Sequence, residues 1–159
     1  MVKVEKILFP CDFTQNCSKI LPYLLSMAEK FNSQIYILHV VPDLQKWATE
    51  YISHTAHYAS MDMFRNEALE GAKKAMDRVC EEQLEGCPNF QRRIVSGDPA
   101  AEILNTIQAE NIDMVIMGTH GRKGLEHTIF GSVAEHVVKK ASVPVLVVNP
   151  HTVKKTKNE

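Results

Sequence analysis

The sequence predicts an α/β protein built on an open, parallel, doubly wound sheet with helices on both faces. Short runs rich in β-branched and aliphatic residues recur at 6–10, 34–41, 90–95, 113–118 and 144–148, each the length of a strand buried on both sides. Amphipathic stretches separate them, with apolar residues recurring at helical spacing, which is the alternation of a parallel sheet covered by helices. Short right-handed crossovers then favour winding on both faces of the sheet.

The first strand is the run around Ile7, Leu8 and Phe9. Ile20, Leu21, Leu24, Leu25, Ala28 and Phe31 follow as one helical stripe, and Pro22 is accommodated if it lies in the first turn of that helix. The second strand, 34–41, stops at Pro42. Phe64, Ala68, Ala72, Ala75, Met76, Val79 and Leu84 predict the longest helix, from 61 onward, and Gly86 and Pro88 end it. After the strand at 90–95, Gly97-Asp98-Pro99-Ala100 supplies a turn, an N-cap aspartate and a proline in the first helical position. That helix runs to about residue 110 on a stripe of Ile103, Leu104 and Ile107. Strands at 113–118 and 144–148 complete the set, and Pro144 is acceptable as a strand's first residue.

A chain of 159 residues with 45% hydrophobic content is expected to make one domain, over 1–150, with 151–159 as a polar C-terminal tail. The 18 basic residues against 19 acidic ones leave no global field for nucleic acid or anionic lipid. No apolar stretch approaches the roughly 20 residues that span a bilayer, and the N-terminus lacks a signal-peptide pattern, so a cytoplasmic protein without membrane or nucleic-acid partners is expected. Cys11, Cys17, Cys80 and Cys87 form no C-x-x-C pair and are expected to be reduced, ordinary thiols, Cys11 alone standing beside a candidate ligand residue, Asp12.

The chemistry concentrates where Met114-Val115-Ile116-Met117 delivers the chain into Gly118-Thr119-His120-Gly121 and then Gly131-Ser132-Val133-Ala134-Glu135. Strand, glycine-bearing loop and helix start together make an anion cradle, because amides near glycines approach a phosphate closely and the helix N-terminus adds unpaired donors and a favourable dipole. Ser132 with Glu135 also fits a capping box that needs no ligand. The loop lacks G-x-x-x-x-G-K-[ST] and is not a P-loop. Arg122 and Lys123 are either phosphate contacts or solvated cations, Gly124 permits a turn, and His127 and Phe130 pack the outer loop. His120 faces ligand or water, without a paired carboxylate or nucleophile to make it a catalytic base.

Gly118, two residues, Gly121, nine residues, Gly131 and Ser132 resemble the nucleotide loop of the ATP-binding branch of the universal stress protein family. Ile7-Leu8-Phe9-Pro10-Cys11-Asp12 and Ile37-Leu38-His39-Val40-Val41 are similar to that family's first two strands, so the resemblance covers residues 4–149. It implies a five-stranded sheet of order 3-2-1-4-5, with the topological switch between the first and fourth strands. It also implies a nucleotide site of Pro10, Asp12, Val40, Met117, Gly118, His120, Gly121, Arg122, Gly131, Ser132 and Val133. In that site Asp12 meets ribose or a phosphate-bound Mg or Mn ion, and Val40 flanks adenine. From the residues alone, Asp12 is equally a loop or N-cap carboxylate, and Val40 and Met117 are equally core.

The expected function is therefore a stress-response module that binds ATP, hydrolyses it slowly at most, and couples occupancy to a client protein. A homodimer through the fifth strand is implied by the resemblance and agrees with an apolar edge that invites pairing. The alternatives are a nucleotide-dependent adenylating transferase and a dimeric interaction protein with a vestigial pocket. The aromatic and histidine-rich segment 43–58, with Trp47, Tyr51, His54, His57 and Tyr58, is expected to form a flap or surface loop. His54 and His57 alone make an incomplete metal pattern.

Overall fold

Alternation of side chains along each strand divides the apolar residues between two cores, and this division builds the molecule. The computed structural model describes residues 3–43, 58–84, 89–120 and 130–152. Its elements are β1 (Lys6–Pro10), α1 (Gln15–Phe31), β2 (Gln34–Pro42), α2 (Tyr58–Gln83), β3 (Phe90–Gly97), α3 (Pro99–Ala109), β4 (Met114–Gly118), α4 (Ser132–Lys140) and β5 (Val145–Val148). Five strands form one sheet of order β3-β2-β1-β4-β5, and every neighbouring pair is parallel. Ile7 and Phe9 of β1, Ile35 and Ile37 of β2 and Ile116 of β4 meet Ile20, Leu21 and Leu24 of α1 and Met76 and Cys80 of α2 on one face. Leu8, Tyr36, Leu38, Val115 and Met117 point the other way, onto Ala100, Ile103 and Ile107 of α3 and Ala134 and Val137 of α4. Each fully buried Leu, Ile or Phe contributes roughly 1.5–3 kcal/mol, so both faces are needed.

Helix ends follow local chemistry. Asp98 caps α3 by accepting the Ala101 N–H at 2.9 Å, with Pro99 in the first turn as the sequence predicts. Asn32 ends α1 in the left-handed conformation (φ 54°), its N–H donating to the carbonyls of Ala28 and Glu29. The Asp113 carboxylate accepts the Glu5 and Lys6 N–H groups, each at 2.9 Å, tying the start of β4 to that of β1.

Three expectations are corrected here. Pro22 lies inside α1, well past the first turn; both Pro22 and Ser18, whose carbonyl loses its i+4 partner, are on the exposed side, so water takes the orphaned acceptor. Phe31 and Phe64 are 41% and 62% exposed: Phe31 is the last residue of α1, and among the described side chains of α2 the buried ones begin at Ala72. β3 extends through Gly97, two residues beyond the apolar run, because its register with β2 continues to Pro42↔Gly97.

The strand ladder also opens the sheet. β1 and β4 are paired only at Ile7↔Met114 and Leu8↔Val115. Beyond that point β1 stays with β2, through Pro10↔Leu38 and the Cys11 N–H to Leu38 O bond of 2.9 Å. β4 stays with β5, through Gly118↔Val148 and the Thr119 N–H to Val148 O bond of 2.9 Å. The two central strands part at their carboxyl ends, which creates a crevice at the topological switch.

Candidate functional site: a crevice at the switch point

Two loops flank the parting of β1 and β4. On the β1 side, Pro10 and Asp12 leave the strand, and the Asp12 carboxylate accepts the Thr14 N–H at 3.0 Å and the Thr14 hydroxyl at 2.7 Å. Thr14 is the N-cap of α1, so Asp12 shapes the turn that starts the helix. Phe13 between them sits in the left-handed region (φ 62°), a conformation that costs a bulky residue about 1–2 kcal/mol. Its ring stacks on His39 with centroids 4.1 Å apart, and the His39 Nδ1–H donates to the Cys11 carbonyl at 2.7 Å.

His39 and Phe13 were not among the sequence-derived site residues. The signal was present in His39, a lone imidazole in an otherwise apolar strand, which must find a polar partner when buried. Phe13 carried no comparable mark, because its left-handed backbone follows from the strand-to-helix turn and not from its side chain.

On the β4 side, Met117 is buried against α3 and α4, and Val40 lines the same face from β2 half-buried. At Gly118 a Cβ would lie 2.8 Å from Ile20 Cδ1, so the missing side chain there serves close packing of β4 against α1. Gly131 is different. It caps α4 with φ −71° and ψ 159°, which any residue adopts, but a Cβ would lie 3.3 Å from the Thr119 carbonyl, the group to which the Gly131 N–H donates at 2.7 Å. The close approach of two backbones, not a special dihedral, calls for glycine at that position.

The Ser132/Glu135 capping box does not form. Gly131, not Ser132, is the N-cap, and having no side chain it makes no side-chain cap bond. Glu135 instead pairs with Lys139 one turn on, at 2.6 Å, and that ammonium holds its carboxyl below the ordinary carboxylate range. The first amides of α4, including those of Ser132 and Val133, have no i−4 partner within the helix and receive no cap from the Gly131 position.

His120 is buried, sharing a 2.9 Å hydrogen bond with the Thr119 hydroxyl and meeting His151 edge-on at 5.7 Å between centroids. His151 thus joins the site's surroundings, although the sequence assigned it to the polar tail. Phe130 is 37% exposed. Gly121, Arg122, Lys123, Gly124 and His127, like Trp47, Tyr51, His54 and His57, lie outside the described residues. The described residues hold no group of three or more potential metal ligands.

The cysteines also correct the sequence expectation. Cys11 and Cys17 form a disulfide across the β1–α1 turn, with Cα atoms 5.8 Å apart, within the range a bridge requires. A search for C-x-x-C spacing misses it because the strand-to-helix turn folds a separation of six back on itself. Cys80 remains a buried thiol, and burial pushes its pKa up. Cys87 is outside the described residues.

Comparison with known proteins agrees with this geometry. Universal stress protein MJ0577 of Methanocaldococcus jannaschii is 31% identical over 155 residues, covering 92% of this chain and 96% of its own length. The solved structure of the MJ0577 protein superposes with a TM-score of 0.78 at 30% identity, covering 98% of this chain and 100% of that one. UspA from Lactobacillus plantarum shares the fold, with a TM-score of 0.75 at 22% identity and coverage of 94% of this chain and 100% of its own. The model of the Universal stress protein family matches residues 3–149. With nearly the whole chain matched and the five-stranded fold shared, the chain belongs to the Universal stress protein family.

Proposed function

We propose that this protein is a cytoplasmic adenine-nucleotide-binding module that holds ATP in the switch-point crevice and couples its occupancy to a client protein, with slow hydrolysis at most. The observation that carries the reading is the pairing of a parted sheet with the N-terminus of α4. There, Gly131 brings two backbones together and, as the N-cap, offers the first amides of α4 no side-chain acceptor. Unpaired helix amides with the dipole behind them favour a phosphate. Solved structures of this fold include a universal stress protein in complex with cAMP (TM-score 0.58, 16% identity) and one from Archaeoglobus fulgidus in complex with dAMP (TM-score 0.64, 15% identity), which supports an adenylate as the class of ligand.

The residues fit such a ligand. A Cβ at Gly131 would crowd the backbone of Thr119 and His120, and Pro10 and Asp12 close the opposite wall, where the carboxylate is oriented by Thr14. In this reading Val40 and Met117 line the adenine side, Asp12 accepts ribose, and Gly118, His120, Gly121, Arg122, Gly131, Ser132 and Val133 surround the phosphates. Mg or Mn would come with the triphosphate and neutralise its charge, and Asp12 is the carboxylate that would hold it. The unit of function is a single domain over 1–150, and the dimer forms along β5, an apolar edge strand.

Mass spectrometry of ligand released from the denatured protein, followed by calorimetry with ATP, tests the reading. ATP carried through purification and binding at a stoichiometry of one per chain are expected. A protein that neither carries nor binds an adenine nucleotide overturns it, and rapid turnover replaces the binding module with an enzyme.

A further inference from the structure

We propose that Cys11 and Cys17 form a redox switch on the nucleotide site, in which the disulfide holds the Asp12 turn ready for ligand and the dithiol releases it; the proposal rests on the nucleotide reading above. The two cysteines bracket the whole turn between β1 and α1. One end is fixed to the sheet: the Cys11 N–H donates to Leu38 O at 2.9 Å and the Cys11 carbonyl accepts from His39 Nδ1 at 2.7 Å. The other end is the first turn of α1, where the Cys17 N–H donates to Thr14 O at 3.0 Å. The disulfide joins these two ends covalently, and Asp12, Phe13 and Thr14 hang between them.

Without that bond the turn is kept by the Asp12–Thr14 hydrogen bonds and the Phe13–His39 stack. These must hold Phe13 in a left-handed backbone that opposes them. A ligand that needs the Asp12 carboxylate in one place then has to order the turn as it binds, and affinity falls by that cost. The oxidised protein is the tighter binder.

The chemistry is thiol–disulfide exchange with a low-molecular-weight disulfide, RSSR. The thiolate of one cysteine attacks a sulfur of RSSR, forming a mixed disulfide and expelling RS⁻. The second cysteine's thiolate attacks the protein sulfur of that mixed disulfide and expels the other RS⁻. Two electrons pass from the cysteine pair to RSSR, and the protons of the two protein thiols end on two RSH molecules. Both cysteines are buried, at 4% and 5% exposure, so exchange requires the turn to open, and a nucleotide seated on the turn slows it. Linkage is reciprocal: if the disulfide tightens ATP binding, ATP must favour the disulfide.

The test uses the full chain, reduced with dithiothreitol or oxidised with glutathione disulfide, the bond located by peptide mass spectrometry and ATP affinity measured by calorimetry. The oxidised chain is expected to bind ATP about fivefold or more tightly than the reduced chain. Cys17→Ala and Cys11→Ser are expected to bind like the reduced chain under both conditions. Saturating ATP should move the midpoint of the pair to more negative potential by about 30 mV for each tenfold difference in affinity, a readout that needs no variant. Equal affinity in the two states, redox dependence that survives in Cys17→Ala, a midpoint that ATP does not move, or an oxidised chain without the 11–17 bond overturns the switch. ATP binding in neither state overturns the nucleotide reading itself, an outcome distinct from equal binding in both.

Discussion

At Gly131 anion binding depends on one missing methyl group. Gly131→Val places a Cβ about as close to the Thr119 carbonyl as a side chain tolerates while asking nothing unusual of the backbone. The expected outcome is a loss of ATP affinity of tenfold or more by calorimetry, with a thermal unfolding curve still cooperative and shifted by a few degrees at most. Unchanged affinity would remove the cradle from the mechanism. Asp12 makes a second test, since it both shapes the turn and is proposed to meet ribose. Asp12→Ala loses the Thr14 bonds and should cost about 1 kcal/mol in urea denaturation, whereas Asp12→Asn keeps an acceptor for Thr14 and should lose ATP affinity with little change in stability. Cys80 gives a pH prediction. Burial raises its pKa, so the folded state prefers the thiol. Its contribution to stability is whole below the ordinary thiol range and is lost as pH rises through that range toward the folded value. Native protein should accordingly react slowly with an alkylating agent at Cys80 until it unfolds. Of these residues, Gly131 and Asp12 stand out in the sequence as candidates because glycine and aspartate at strand ends and helix starts have few purposes. The Cys11–Cys17 bridge and the Phe13–His39 stack were not, because both depend on how one turn folds back over β2.

At the level of elements, α1 and α4 show where local rules hold and where they yield. The stripe of Ile20, Leu21 and Leu24 buries as its spacing predicts, and that burial is large enough to carry Pro22 through the interior of the helix. Because Pro22 is exposed, Pro22→Ala should restore a hydrogen bond without touching the core and stabilise the protein by about 1–3 kcal/mol, measured as a rise in the urea midpoint. No change would mean that α1 is already relaxed around the proline. In α4 the predicted capping box gave way by one position, because the helix begins at Ser132 itself and Glu135 is drawn to Lys139. Glu135→Ala should move the thermal midpoint no more than loss of an exposed ion pair does, whereas loss of a capping box would produce a clear drop.

For the whole molecule, the two sheet edges are unlike. β3 exposes Gln91, Arg92 and Arg93, and the two arginines pair with Asp77 and Glu110; a charged, partnered edge resists strand addition. β5 is Val-Leu-Val-Val, half-buried over its first three residues, with Leu146 and Val145 turned to the two cores. Pairing of β5 with a second copy is the economical way to cover it. Light scattering at micromolar concentration is expected to give twice the chain's mass, and Val147→Lys, which places a charge on that edge, to give the monomer. A monomeric wild-type protein would remove the dimer from the proposal.

The order and type of the elements were settled by the sequence alone, because strand and helix patterns are local: a side chain's neighbours at two, three or four positions determine which face it must bury. Tertiary structure decided the rest. Parting of β1 from β4, close packing of Gly118 on Ile20, burial of His120 beside His151 and bonding of Cys11 to Cys17 each bring together groups whose separation is fixed by the register of the sheet and the angle of a turn. Those quantities arise only when the whole sheet is assembled, since no short window of residues contains them.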